Sequence, residues 1–230
     1  MSNRLYDASG VPLRHKDFNP SVDNQVPEWK SLYEKLKLKI NSGALIGLVG
    51  NRGTGKTQLG VSLIGYATYV LGKEALYRKS LEVFLRIREG MKSTTESERT
   101  AVDEFVKPFL LVIDAFEVRG DTEFEDRLLN HIIDKRYDLM KSTVIISNDT
   151  RDVLQKQLGP SICDRMNENG GICEMVWRSF RKSPELRRVA VLPSEKSSII
   201  SNVDDEEESV YPIDSKTAKM IAEIGSFPKK

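Results

Sequence analysis

The chain has 230 residues, 35 basic and 34 acidic side chains, and a formal net charge of +1. This near balance excludes a surface that attracts polyanions as a whole, so any nucleic-acid contact must come from a local basic patch. The two cysteines form no CxxC pair and the two histidines lie far apart, so no metal-ligand spacing is present and a reduced, cytoplasmic compartment is expected. No apolar run approaches membrane-spanning length, so no membrane contact is predicted.

The first two segments are predicted to be an irregular arm and a helix. Residues 1–27 are polar and carry three spaced prolines, which favours irregular structure. Apolar residues recur at helical spacing over 28–40, at Trp29, Leu32, Tyr33, Leu36 and Ile40. A stripe of this kind is more often core than partner surface, so we expect the helix to pack on the flank of the domain.

The strongest motif lies between a predicted strand over 44–49 and a predicted helix over 58–70. It has the form GxxxxGKT and consists of Gly50, Asn51, Arg52, Gly53, Thr54, Gly55, Lys56 and Thr57. The backbone N–H groups of such a loop and the dipole of the following helix bind the phosphates of a nucleoside triphosphate. We expect Lys56 to reach the β- and γ-phosphates, Thr57 to ligate Mg²⁺, and the adjoining Gln58 to belong to the ATP site. A chance glycine-rich turn is the alternative, and the strand–loop–helix context disfavours it.

Strands and helices alternate through the rest of the central region. Strands are predicted at 74–78, 109–114, 143–148 and 172–177, with helices between them. This alternation predicts an α/β fold with a parallel sheet flanked by helices. Beyond residue 181, Ser, Lys and Glu dominate, which predicts a flexible acidic linker over 182–211 and, after it, a short helix and tail over 212–230.

Two polar residues end predicted strands that follow the phosphate loop. Asp114 ends an apolar strand, and we expect it to hold the Mg²⁺ shell opposite Thr57. Asn148 ends the next strand, where its side chain would meet the γ-phosphate or the attacking water. A simple helix cap is the alternative for Asn148.

Five elements in this order resemble the DnaC/IstB branch of the AAA+ ATPases: the phosphate loop, LLVIDA with Asp114, IISN with Asn148, the stretch 158–166, and WRSFR at 177–181. The resemblance covers roughly residues 28–181, which we predict to be the ATPase domain. It implies a P-loop NTPase with a RecA-like core and a five-stranded parallel sheet in the order 5-1-4-3-2. It also implies self-association into a ring or spiral, single-stranded DNA along the axis, and a replicative helicase as partner.

The same resemblance assigns roles to two arginines. Arg165 resembles the finger that reaches into a neighbouring subunit's ATP, and Arg181 resembles the arginine that senses the γ-phosphate within its own subunit. The alternative for Arg165 is a structural arginine paired with a nearby carboxylate, and the alternative for Arg181 is an ordinary surface arginine. The family usually carries a second arginine where this chain has Ser161.

The chain departs from the family directly after Asp114. The family usually has a glutamate next, which polarises the attacking water, and here that position is Ala115. Glu117 takes this role only if the chain bends between the two residues. We therefore expect weak or impaired ATP hydrolysis. An alanine here is also what an engineered ATP trap would carry.

Basic residues cluster between the second and third predicted strands, in the region that lines the DNA channel in the family. They are Lys79, Arg86, Arg88, Lys92 and Arg99. Glutamates alternate with them, so a solvated helix face is an equal alternative. Contacts from such residues would go to phosphates and be largely independent of sequence.

The predicted function is that of an ATP-binding AAA+ protein of the helicase-loader type, acting in phage or bacterial DNA replication. A transposition helper ATPase that recruits a transposase has the same core and is the first alternative. A small-molecule P-loop kinase is the second, and it would need an arginine-bearing substrate lid that the sequence does not show. The predicted helix near the C-terminus is a candidate for docking to a partner, and folding back onto its own domain is an equal alternative.

Overall fold

The computed structural model describes residues 4–16, 26–95, 97–120 and 122–182. The predicted linker beyond Lys182 and the predicted helix over 212–230 lie outside these ranges. Among the described residues, no helix combines the length and apolar composition needed to span a membrane.

Strands and helices alternate along the described chain. In order, the elements are α1 (Arg4–Ala8), α2 (Pro27–Lys39), β1 (Leu45–Val49), α3 (Lys56–Gly65), β2 (Ala75–Lys79), α4 (Ser80–Lys92), α5 (Glu98–Val106), β3 (Leu110–Asp114), α6 (Glu123–Asp138), β4 (Ser142–Ile146), α7 (Arg151–Glu168) and β5 (Gly170–Glu174). Short 3₁₀ turns occupy Leu13–His15, Ile40–Ser42 and Phe116–Val118, and a π-helical turn, Tyr66–Val70, follows α3.

The five strands form one parallel sheet in the order β2-β3-β4-β1-β5, which confirms the predicted order. Strand β1 lies between β4 and β5 and places Leu45 beside Thr143 of β4 and Gly170 of β5. Strands β1, β3 and β4 are buried along their whole length, as expected for a parallel sheet covered on both faces. Because all strands run the same way, the segments after β1, β3 and β4 meet at one edge of the sheet.

Helices cover both faces of the sheet and create two apolar layers. One layer joins α2 and α3 to the sheet, with Trp29 and Leu59 fully buried. The other joins α4, α5 and α6, with Phe105 and Ile132 fully buried. Together these layers hold the strand ends that carry the candidate site.

A buried arginine fastens the end of α5 to the start of β4. Arg136 is 1% exposed, and burial lowers its pKa to about 9. The last carbonyls of a helix have no partner within the helix, and a guanidinium can satisfy several of them. Arg136 donates to Thr143 Oγ1 and to the carbonyls of Phe105, Val106, Pro108 and Ser142.

The N-terminal segment differs from its prediction. The polar composition predicted irregular structure over 1–27, yet the described residues 4–16 contain α1 and a 3₁₀ turn and bury Tyr6 and Val11 in the core. The Ser9 carbonyl accepts from the Tyr77 N–H at 2.8 Å, so this segment covers the outer edge of β2.

Two strands, β4 and β5, end two or more residues away from their predicted ends. Strand β5 spans 170–174 rather than the predicted 172–177. The prediction began too late because the strand starts with two glycines, which usually interrupt a strand pattern. A Cβ on Gly170 would lie 1.8 Å from the Leu45 carbonyl oxygen, so only glycine fits there. Strand β4 ends at Ile146, and Asn148 therefore follows the strand instead of ending it.

Candidate nucleotide-binding site

The phosphate loop joins β1 to α3 and has the backbone that its glycines permit. Gly53 and Gly55 have φ values of 89° and 88°, in the left-handed region that side chains disfavour. Helix α3 begins at Lys56, so its first N–H groups lie at the loop. Asn51 and Arg52 are exposed at the tip. Such a loop at a helix N-terminus suits an anionic phosphate.

Lys56 lies across this loop. Its Nζ donates to the carbonyl oxygens of Gly50 at 2.6 Å and Asn51 at 2.8 Å. Burial lowers the pKa of Lys56 to about 8, against the opposing attraction of Glu117 and Asp114. A polyphosphate at the loop would favour the charged amine, so binding of an anion and protonation of Lys56 are coupled.

The two predicted Mg²⁺ ligands, Thr57 and Asp114, are in contact. Thr57 Oγ1 donates to Asp114 Oδ2 at 2.8 Å. Mg²⁺ takes one or two protein oxygens and completes its shell with phosphate oxygens and water, so this donor pair beside a phosphate loop fits the ion. Within the described ranges, no group of three or more His, Cys, Asp or Glu side chains converges to form a separate metal site.

Tyr77 also belongs to the site, although no pattern in the sequence predicts this role. It is 3% exposed in β2, and its hydroxyl donates to Asp114 Oδ2 at 2.6 Å. Burial, with the adjacent Asp114 carboxylate, raises the pKa of Tyr77, so the hydroxyl remains a donor at neutral pH. The contact depends on the β2–β3 register, in which Tyr77 lies opposite Val112, and a one-dimensional pattern does not reveal it.

The chain bends directly after β3. Ala115 has φ 54° and ψ 48°, and the 3₁₀ turn over 116–118 follows it. Its N–H donates to Asp114 Oδ1 at 2.7 Å, and its carbonyl accepts from Ser80 Oγ at 2.9 Å. These bonds hold a left-handed conformation that costs a residue with a side chain about 1 kcal/mol.

This bend brings Glu117 to the end of β4. Glu117 Oε2 accepts from the Asn148 N–H at 3.2 Å and from Ser147 Oγ at 3.4 Å. Asn148 Nδ2 also donates to Glu117 Oε1, so the two side chains are paired. The carboxylate acts electrostatically on Lys56 as well. The chain therefore bends after Asp114, as it must if Glu117 is to take the role of the missing glutamate.

After β5 the chain crosses the outside of the phosphate loop as a strap, residues 175–181. The Phe180 N–H donates to the Gly53 carbonyl at 2.8 Å. Arg181 follows, and its Cγ would lie 3.4 Å from a Cβ placed on Gly53. The charge of Arg181 helps to lower the pKa of Lys56. The arginine predicted to sense the γ-phosphate thus lies beside the loop.

Gln58 contacts the N-terminal segment. Its Oε1 lies 2.6 Å from His15 Nδ1. The same segment contacts Tyr77 through the Ser9 carbonyl. Residues 4–16 therefore contact two residues of the candidate site, Gln58 through its side chain and Tyr77 through its backbone N–H.

Arg165 lies on the second half of α7, beyond a break in the helix at Gly159. Its guanidinium pairs with Asp134 Oδ1 on α6 at 2.9 Å and donates to Ser161 Oγ at 2.6 Å. It also lies over the Tyr137 ring, 5.4 Å from the centroid. Within one chain, Arg165 is thus paired with a nearby carboxylate, which is the alternative to the finger role. Its role as an arginine finger requires a neighbouring subunit and stays a prediction.

The predicted DNA-contacting residues do not share one face of α4. Arg86 pairs with Glu104 of α5 at 3.0 Å, whereas Arg88 lies 3.8 Å from Glu125 of α6. The exposed members of the cluster are Lys79, Arg88, Lys92 and Arg99.

A parallel sheet in this order, with a phosphate loop after β1 and an aspartate at the end of β3, defines a P-loop NTPase of the AAA+ class. Residues 37–188 match the family of IstB-like ATP binding proteins, and the chain belongs to this family.

Known proteins of DNA replication are among its relatives. The replicative helicase loader DnaC of Escherichia coli (strain K12) is 25% identical over 133 residues, which are 57% of this chain and 54% of that protein. The chain thus spans about half the length of the curated loaders it matches.

Solved structures share the fold. A crystal structure of the DnaC helicase loader superposes with a TM-score of 0.61 at 18% identity, over 73% of this chain and 100% of that one. AMPPCP-bound DnaA from Aquifex aeolicus superposes with a TM-score of 0.56 at 21% identity, over 70% of this chain and 51% of that one.

Proposed function

We propose that this chain is a nucleotide-dependent AAA+ protein of the helicase-loader type and that it engages a replicative helicase in phage or bacterial DNA replication. The observation that carries the proposal is the group formed by Lys56 across the phosphate loop and the bonded pair Thr57 and Asp114 beside it, in a chain whose curated relatives include replicative helicase loaders.

ATP binding follows from the chemistry of that set. The loop N–H groups and the Lys56 ammonium would hold the β- and γ-phosphates, and Thr57 and Asp114 would hold Mg²⁺. An Mg²⁺ ion held there would neutralise part of the phosphate charge. Tyr77 keeps the Asp114 carboxylate turned toward Thr57 by donating to the same oxygen.

Hydrolysis is slow in this proposal and depends on Glu117. Glu117 is the carboxylate after Asp114 that contacts the end of β4, and it would accept a proton from the attacking water as a general base. Its present bonds to Asn148 and Ser147 must loosen before it can do so, which limits the rate.

Assembly and DNA contact extend the proposal beyond one chain. In a ring or spiral, Arg165 would exchange Asp134 for the γ-phosphate of a neighbour's ATP, and such a finger is worth about 10³–10⁵ in rate in GTPases. Arg181 would contact the γ-phosphate of its own subunit. Lys79, the last residue of β2, and Lys92, the last residue of α4, are exposed and would meet phosphates of single-stranded DNA.

A turnover and co-assembly experiment tests the proposal. The full chain is mixed with a replicative helicase from the same source, with and without ATP, and analysed by size-exclusion chromatography with light scattering. We expect a complex that depends on ATP and is lost in Lys56→Ala, and ATP turnover that is low and changes when single-stranded DNA is added. Absence of a complex in all conditions would overturn the loader assignment.

A transposition helper ATPase is a second candidate, because the family that the chain matches is the IstB-like one. It shares the nucleotide chemistry and differs in partner. ATP-dependent capture of a transposase instead of a helicase in the same co-assembly assay would favour it.

A further inference from the structure

Three consecutive carbonyls of the phosphate loop accept hydrogen bonds from donors outside the loop. The carbonyls belong to Gly53, Thr54 and Gly55, and the donors are the Phe180 N–H at 2.8 Å, Trp177 Nε1 at 2.9 Å and Trp29 Nε1 at 3.2 Å. The Gly55 carbonyl also accepts the first bond of α3, from the Leu59 N–H at 2.9 Å. The outer side of the loop is therefore held by chain segments that are distant in sequence.

Because of peptide geometry, these bonds also orient the N–H groups on the inner side of the phosphate loop. In a planar trans peptide unit, the C=O of one residue and the N–H of the next point in opposite directions. Holding the Thr54 carbonyl outward aims the Gly55 N–H at the phosphate cradle, and holding the Gly55 carbonyl does the same for the Lys56 N–H. The donors thus fix the groups that would meet the β-phosphate without touching it.

The two indoles suit this task. The chain has only two tryptophans, and both donate to the loop. An indole is a donor only, on a rigid ring with two side-chain torsions, so little entropy is lost in holding it. Trp29 is fully buried on α2 and stacks on Tyr33 with centroids 5.6 Å apart, whereas Trp177 is partly buried in the strap.

We propose that Trp177 and Trp29 are positioning residues of the nucleotide site, which hold the outer carbonyls of the phosphate loop so that the N–H groups of Gly55 and Lys56 face the phosphates. The proposal rests on nucleotide binding at this loop and not on the helicase or DNA. Its test uses the chain and nucleotide alone, so the result can be interpreted even if the chain is not a helicase loader.

The first experiment replaces Trp177 by phenylalanine, which keeps an aromatic ring and removes the donor. Dissociation constants for ADP with Mg²⁺ and for AMP are measured by calorimetry, together with the melting temperature. Because one neutral hydrogen bond is lost, ADP affinity should fall about five-fold at nearly unchanged melting temperature. AMP, which lacks the β-phosphate, should keep its affinity.

Tyr33→Phe is the matched control. Its hydroxyl also donates to a backbone carbonyl of α3, that of Ser62 at 3.3 Å, but not to the loop. ADP affinity should be the same as for the unmodified chain. Unchanged ADP affinity in Trp177→Phe, or an equal loss for ADP and AMP, would overturn the positioning role.

A second measurement follows the indole groups of the unmodified chain. In a ¹⁵N spectrum the two tryptophans give two indole N–H signals, and both should move when ADP with Mg²⁺ is added, because loop carbonyls sense the ligand. Trp29→Phe assigns the signals. Indole signals that stay in place while ADP binds would contradict the coupling between the outer and inner sides of the loop.

Discussion

The phosphate loop and the end of β3 form the two halves of the site, and they are built differently. The loop is one stretch of eight residues between β1 and α3, and donors from α2 and the strap fix its shape. The end of β3 supplies its second carboxylate only through the bend at Ala115, which delivers Glu117 to Asn148. Nucleotide binding is therefore robust in this account, whereas hydrolysis depends on a strained turn and on a carboxylate that is already bonded.

The largest effect is expected on the β3 side. Glu117→Gln removes the charge that would accept a proton and keeps the shape, so the ATP turnover number should fall about 100-fold with ATP affinity hardly changed. Single-turnover hydrolysis and equilibrium binding measure the two quantities. Glu123→Gln, at an exposed glutamate in the first turn of α6, is the control and should turn over ATP normally. Equal rates for the two variants would refute the role of Glu117.

The next largest effect is on the loop side. Lys56→Ala removes the ammonium aimed at the β- and γ-phosphates, and loss of charged hydrogen bonds should weaken binding of a fluorescent ATP analogue by about 30-fold. Titration of the analogue at equilibrium measures this. An affinity equal to that of the unmodified chain would show that nucleotide binds elsewhere.

The pH dependence of binding follows from the lowered pKa of Lys56, about 8 in the folded chain without ligand. Below this value the amine is already charged, so affinity should be flat. Above it, binding must take up a proton, and affinity should fall by up to about ten-fold per pH unit. Calorimetry of ADP binding in buffers of different ionisation enthalpy should detect proton uptake near about pH 9. Proton release, or affinity that rises with pH, would contradict this sign.

The smallest effect concerns the bend. Ala115→Gly removes the strain of an alanine in the left-handed conformation, and it also raises the conformational entropy of the unfolded chain. The first effect stabilises the folded protein and the second partly offsets it, so the free energy of unfolding should rise by about 0.5 kcal/mol. Met140→Gly is a matched control, because Met140 has a φ of 53° outside the site. Both should stabilise the protein in chemical denaturation, and only Ala115→Gly should change turnover. Destabilisation by Ala115→Gly would mean that the bend is not strained.

Sequence alone could predict what depends on neighbouring residues. The strand, phosphate loop and helix were predicted from residues that follow one another in the sequence. The order of the strands in the sheet was predicted from the family resemblance, and it is confirmed. The roles of Tyr77, Trp29 and Trp177 could not be predicted, because each depends on a contact across register or across more than twenty residues of chain. The early start of β5 could not be predicted for a related reason: Gly170 is required by its close approach to Leu45 of β1, which no local pattern records.

The most direct test of the account is a crystal structure of the chain with AMPPCP and Mg²⁺. We expect the β-phosphate on the N–H groups of Gly55 and Lys56, and a Glu117 carboxylate oxygen about 3 Å from a water in line with the γ-phosphate. A structure in which Glu117 still bonds only to Asn148 and Ser147, while another group holds that water, would contradict the central claim.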